Sequence, residues 1–99
     1  MGRALRLLTW NIHGGVGSDG RFDLSRTARV IGAAAPDVAA LQEVGEVRGR
    51  IPALDQARAV ARMTGLRLAF MANVSAGRRR YGNAVLSAHP IVREIHYDL

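Results

Sequence analysis

Apolar positions recur along this chain with two different spacings, and each spacing marks a kind of element. Residues 4–10, ALRLLTW, form a short, largely apolar run consistent with a strand buried on both faces. A glycine-rich stretch follows, WNIHGGVGSDGRFD, in which Asp19-Gly20 signals a turn. Leu24, Ala28, Ile31 and Ala35 then fall at spacings of four, three and four, the stripe of one helical face. Asp23 is a good N-cap for this helix, and Pro36 ends it near Ala35, because the residue before a proline avoids the α region. The next apolar run, VAAL at 38–41, leads into Gln42-Glu43. Strand, helix and strand in close succession predict a βαβ unit with a right-handed crossover and two parallel strands.

Beyond Glu43, residues 45–53 read as a loop containing Pro52, and the spacing predicts a second helix from about Leu54 to Thr64. Leu54, Ala57, Val60 and Ala61 make its apolar face, Arg58 and Arg62 lie on the solvent side, and Gly65 suits the C′ position. LRLAFMANV at 66–74, GNAVLSA at 82–88 and IVREIHY at 91–97 read as strands. The loop SAGRRR precedes Tyr81, and a His89-Pro90 turn separates the last two strands. Their short connections imply antiparallel pairing, so the expected fold is α/β with a mixed sheet and two helices on one face.

Parallel strands end on the same side of a sheet, where ligand crevices form. Asn11 ends the first strand and Glu43 the second, so an amide oxygen and a carboxylate reach one rim if those strands are neighbours or nearly so. Two hard oxygen donors suit Mg²⁺ or Mn²⁺, which keep several waters and are completed by substrate phosphate.

Composition narrows the classes. The 99 residues, 48% of them hydrophobic, suffice for one small core and no more than one domain. There is no cysteine, hence no disulfide framework and no thiolate metal site, which fits a cytoplasmic, reducing setting. Arg3 and Arg6 interrupt the first apolar run, so no signal-peptide core forms, and no run approaches membrane-spanning length. A soluble protein without stable membrane insertion is expected. The net charge is +6 and every basic residue is arginine, whose planar fork fits phosphate oxygens. The same bias also arises from genomic nucleotide composition alone.

Gly15, Gly17 and Gly20 satisfy G-x-G-x-x-G, the spacing that cradles a dinucleotide pyrophosphate at a helix N-terminus. In that fold the first glycine follows the strand directly and the third lies inside the helix. Here Asn11 to Gly14 intervene, and Gly20 precedes the helix cap Asp23. Glu43 does occupy the position of a ribose-binding acid, but the chain continues into a hairpin-like run of strands instead of further βαβ units. The alternatives are therefore a dinucleotide-binding βαβ module built on these glycines, or a non-catalytic arginine-rich nucleic-acid binder resting on the arginines and Tyr81. A P-loop is excluded, since no Gly-Lys-[Ser/Thr] is present.

One combination of motifs is more specific. LLTWNIHGGVGSDGRFDLSRTARVIGAAAPDVAALQEV followed by YGNAVLSAHPI resembles the N-terminal part of the endonuclease/exonuclease/phosphatase superfamily. The resemblance covers most of the chain, with 45–65 the least informative part. It implies a divalent-metal-dependent phosphoesterase in which water attacks a phosphate ester in line, the substrate being nucleic acid, a phospholipid headgroup or a small phosphodiester. By that resemblance Asn11 and Glu43 hold Mg²⁺ or Mn²⁺. Tyr81 falls near the family's active-site tyrosine, Asn83 lies on the same rim strand, and His13 and Arg80 approach substrate, Arg80 with Arg78 and Arg79 as a phosphate grip. Each has a plainer rival: a strand-end cap for Asn11, a surface ion pair with Arg48 for Glu43, rim packing for Tyr81, a loop hydrogen bond for Asn83 and solvation for His13 and the arginines. His89 and His96 match no motif position.

Family members are four-layered α/β sandwiches of two similar halves packed sheet on sheet. Their second half brings the general-base histidine, its aspartate partner and further Asp/Asn site residues. Those motifs are not in this sequence. Residues 1–99 are therefore expected to be a single, incomplete domain, the N-terminal half of that sandwich. Such a half would be inactive alone and prone to associate through an exposed sheet face. Its oligomeric state is left open.

Overall fold

The computed structural model describes residues 4–45, 51–72 and 81–97. Four strands, β1 (Leu7–Asn11), β2 (Val38–Gly45), β3 (Arg67–Ala72) and β4 (Tyr81–Ser87), form one sheet in the order β1-β2-β4-β3. β1 runs parallel to β2, while β4 is antiparallel to both of its neighbours, so the sheet is mixed. Two helices, α1 (Leu24–Ala34) and α2 (Ala53–Thr64), pack against each other and cover one face. A single turn of 3₁₀ helix, His13–Gly15, follows β1.

Strand alternation builds the core. Leu8 and Trp10 of β1, Ala39 and Leu41 of β2, Ala84 and Leu86 of β4, and Leu68 and Phe70 of β3 turn toward the helices. Leu24 and Ile31 of α1 and Ala57, Val60 and Ala61 of α2 meet them. The opposite face of β1 stays exposed at Leu7, Thr9 and Asn11, so the strand is not buried on both sides as its apolar run suggested. Helices lie on only one face of it, and the strand begins at Leu7 instead of residue 4.

Both helix termini have local causes. The Asp23 carboxylate accepts from the Arg26 N–H at 3.1 Å and from the Ser25 hydroxyl, capping α1 as its position predicts. Those hydrogen bonds, led by Ser25, hold its pKa below the ordinary carboxylate value. At the other end Pro36 denies Ala35 the helical conformation. Ala35 adopts a left-handed φ of 47° as C-cap, exposed and outside the buried stripe in which its spacing had put it. In α2 the buried stripe is Ala53, Gln56, Ala57, Val60 and Ala61, at i, i+3, i+4, i+7 and i+8. Leu54 lies on its margin and is exposed, whereas polar Gln56 is fully buried. Gly65 takes a left-handed φ of 72°, as its C-cap position anticipates.

Residues 91–97, expected as a strand, have no strand structure. β4, their intended hairpin partner, is flanked by β2 and β3, so both of its edges are already taken. The segment instead lies over the open face of the sheet, where Ile91 and Ile95 with Ala69, Met71 and Val85 line a cavity of about 360 Å³. The expected strand at 66–74 is described only to Ala72. The loop SAGRRR, and with it Arg80, lies outside the described residues, as does Arg48.

Candidate active site

The glycine loop is folded upon itself. Val16 and Phe22 form an antiparallel bridge, the Gly17 N–H donates to Arg21 O, and the Gly20 N–H donates to Gly17 O, making a miniature hairpin around the Asp19-Gly20 turn. The Gly15 and Val16 N–H groups donate back to Ile12 O and His13 O, and the Arg21 N–H to the Asp19 carboxylate. The N–H groups of all three motif glycines are thus spent within the chain instead of cradling a pyrophosphate, and the α1 N-terminus already holds the anionic Asp23. The glycines answer to space: a Cβ on Gly17 would sit 2.2 Å from the Arg26 guanidinium, and one on Gly15 would sit 2.7 Å from the Leu24 side chain. Arg26 in turn forks onto Asp19 at 2.8 and 3.2 Å, and this hydrogen bond is the main reason that the Asp19 carboxyl falls to about 2.

The rim of the sheet depends on an irregularity in β2. Leu41 pairs with Ala84 and Val44 with Gly82, so Gln42 and Glu43 together oppose the single residue Asn83. This is a β-bulge. Strict alternation would carry Glu43 inward with Ala39 and Leu41, beneath the helices. The bulge instead turns Val44 inward, where it is fully buried, and leaves Glu43 half-buried at the rim. The turn requires a left-handed backbone at Glu43, φ 52°, a conformation that side chains other than glycine seldom adopt.

His13 is left-handed as well, with φ 48°, and its Nδ1 lies 2.9 Å from Glu43 Oε2. The His13 backbone N–H donates to Asn11 Oδ1 at 3.1 Å. Asn11 is paired with Gln42 across the parallel strands, and the Ile12 N–H donates to Gln42 O at 3.0 Å. The two expected ligand residues therefore lie at one rim with His13 between them, its side chain 70% exposed. Asn11 does cap its strand end, and a carbonyl oxygen retains a second lone pair for another partner. Asn83 and Tyr81 join this rim from β4, Asn83 opposite the bulge and Tyr81 paired with Gly45.

A divalent metal can be tested against these groups. The Oε2 atom of Glu43 is closed off from solvent, and although His13 Nδ1 is near, the two are not aligned as a hydrogen bond and the oxygen has no other partner among the described residues. A carboxylate oxygen without an aligned hydrogen-bond donor, on the rim that also carries the Asn11 amide oxygen, fits a hard cation. Among the described residues no group of three or more His, Cys, Asp or Glu side chains comes together as a metal cage.

Strain at a rim carboxylate is a signature of function when the surrounding fold enforces it. Glu43→Gly is expected to raise the unfolding free energy by about 1 kcal/mol, because glycine adopts positive φ without the steric cost. Urea denaturation checks this; a loss of stability comparable to glycine elsewhere in a strand would show that the bulge is not strained.

Two contributors had no prominent signal. Gln42 donates to Thr9 Oγ1 at 3.0 Å, tying β2 to β1 on the open face. Gln56 reaches Gly45 from α2. A glutamine on an otherwise apolar helical stripe was the available clue.

A family model described as the Endonuclease/Exonuclease/phosphatase family matches residues 8–99. The chain belongs to that family. A crystal structure of an endonuclease/exonuclease/phosphatase from Beutenbergia cavernae DSM 12333 is similar with a TM-score of 0.70 and 32% identity, over 91% of this chain and 27% of that one. A structure of an endonuclease/exonuclease/phosphatase family protein from Leptotrichia buccalis C-1013-b is similar in fold, with a TM-score of 0.65 and 22% identity over 91% of this chain and 39% of that one. No curated protein matches. The endonuclease/exonuclease/phosphatase fold thus accounts for the mixed sheet with two helices on one face, and this chain spans well under half the length of those two relatives. Among the described residues no helix is long and apolar enough to cross a membrane.

Proposed function

We propose that residues 1–99 carry the metal-holding part of a divalent-metal-dependent phosphoesterase and form part of a larger two-layered sheet domain. The observation that carries this reading is the left-handed Glu43 in its bulge, whose buried Oε2 lies 2.9 Å from His13 Nδ1 without an aligned hydrogen bond, while the His13 N–H donates to Asn11. Glu43 and Asn11 would hold Mg²⁺ or Mn²⁺, and the bound ion would polarise a phosphoryl oxygen and offset charge as water attacks in line. Around it, His13 and Asn83 orient the substrate and the Tyr81 hydroxyl donates to a phosphate oxygen. Arg80, outside the described residues, would add a positive charge for phosphate. The substrate class is a phosphate ester, whether nucleic acid, phospholipid headgroup or small phosphodiester, and the cysteine-free composition suits a cytoplasmic setting.

The open face of the sheet supports the larger domain. Leu7 is 67% exposed and Val85 40% exposed on that face, and Val92 is 94% exposed in the segment beyond β4. Apolar groups left in water in this way are what a second layer would cover.

The test is a Mn²⁺ titration of the isotopically labelled chain. Paramagnetic broadening is expected to concentrate at residues 11–13 and 43 and to weaken at least tenfold in concentration dependence in Glu43→Gln. Broadening distributed over all acidic residues of a well-folded chain would sink the metal assignment. The 99-residue chain alone is expected to show no Mg²⁺-dependent cleavage of a generic phosphodiester; robust turnover lost in Glu43→Gln would overturn the reading of an incomplete site.

A further inference from the structure

A fully buried glutamine on a helix facing the core is costly unless each polar atom finds a partner. Gln56 finds three. Its Nε2 donates to Gly45 O and, at 3.2 Å, to Ile51 O, and its Oε1 accepts from the Gly45 N–H at 3.3 Å. Gly45 is the last residue of β2, two beyond Glu43.

The chemistry of the clamp follows from where β1 stops. Asn11 is the last β1 residue in register, opposite Gln42, and the Ile12 N–H to Gln42 O bond is the last along that edge. Past it, β2 has no strand on its β1 side among the described residues. A residue in a strand turns its N–H and C=O to the same side, and both of these groups of Gly45 are met by the Gln56 carboxamide, which offers one donor and one acceptor as a peptide unit does. On the other side Gly45 pairs with Tyr81 and Val44 with Gly82. The bulge is therefore anchored before Glu43 by Leu41 and Gln42, and after it by Gly45, held between β4 and a side chain acting in place of a strand.

We infer that Gln56 is the positioning residue that keeps Glu43 in its left-handed conformation and so aims its carboxylate at the rim, a role that rests on the metal-holding reading of Glu43. An off-minimum backbone persists only where its surroundings over-determine it. Without the carboxamide, Gly45 loses its partner on one edge, and Glu43 is free to relax to an extended φ that carries its carboxylate away from His13 and Asn11.

The test compares the labelled wild-type chain with Gln56→Met, which keeps the volume and removes both hydrogen-bonding functions, and with Val60→Ala, an equally buried change in α2 that leaves the Gln56–Gly45 hydrogen bonds in place. Two readouts are taken: the backbone couplings of residue 43 that report φ, and the Mn²⁺ concentration needed to broaden residues 11–13. Gln56→Met is expected to lose the left-handed couplings at residue 43 and to raise the half-broadening concentration about 10–100-fold, as loss of an outer support of a metal ligand does. Val60→Ala is expected to lower stability while leaving both readouts as in wild type. Left-handed couplings and wild-type Mn²⁺ dependence retained in Gln56→Met would overturn the inference. Should wild type itself show no localised broadening, the metal reading fails and the couplings alone decide the role of Gln56. Should Gln56→Met not fold, hydrogen exchange of Gly45 in wild type decides it: protection matching the centre of β2 upholds the clamp, and exchange as fast as a frayed strand end refutes it.

Discussion

Replacing Leu41 by alanine is expected to lower the unfolding free energy by about 2–5 kcal/mol, the range for deleting a large aliphatic side chain from a closed core. Leu41 is 1% exposed and is paired with Trp10 on one side and Ala84 on the other, at the middle of the sheet. Its neighbours are held by strand pairing and cannot collapse into the space it leaves. A domain of this size has only about 5–15 kcal/mol in total, so much of its stability would go. Urea unfolding monitored by circular dichroism should show a lower midpoint at an unchanged slope. A loss below about 1 kcal/mol would mean that the core does not close around this residue. Leu41 is also the buried anchor before the bulge, so the same variant should loosen Glu43.

The second large effect is expected at Gly82, where the constraint is too little space. A Cβ there would lie 2.3 Å from Phe70 Cζ and 2.7 Å from the Met71 carbonyl oxygen. The ring can swing away, but the carbonyl belongs to the backbone of β3, paired to β4 at Met71 with Asn83 and at Ala72 with Gly82. Gly82→Ala must then push β3 from β4 or break their pairing, at a cost of about 1–3 kcal/mol. Each kcal/mol lowers the melting temperature of a small domain by roughly 4–8 °C, so a thermal scan resolves the change readily. An unchanged melting temperature would show that the strands separate freely. Gly82 lies between Tyr81 and Asn83 and opposite Val44, so the displacement should also disturb the rim.

These two positions differ in how legible they were. The apolar run VAAL marked Leu41 as core from its pattern alone. Nothing in the sequence marked Gly82 as a site of close approach, because the short connection predicts antiparallel pairing of the two strands but not the register that sets Phe70 beside it. The same division runs through the candidate site. Asn11 and Glu43 were recoverable because the βαβ rule places consecutive parallel strand ends on one rim. The bulge was not, since it lies in the pairing of β2 with β4, whose register the sequence does not reveal. Without the bulge in mind, the engagement of His13 with Glu43 and the burial of Gln56 had no evident reason.

Local sequence determined the helices with their caps at Asp23 and Gly65, the parallel β1–β2 pair and the mixed character of the sheet, because periodicity, capping and crossover handedness act over a few residues or one connection. Only the tertiary structure decided that β4 inserts between β2 and β3. That insertion left residues 91–97 without a strand partner and set β2 against β4 through a register shift between Leu41 and Val44. At that shift a left-handed turn at Glu43 moves a carboxylate from the helix-covered face to the rim, and a glutamine stands in where β1 ends.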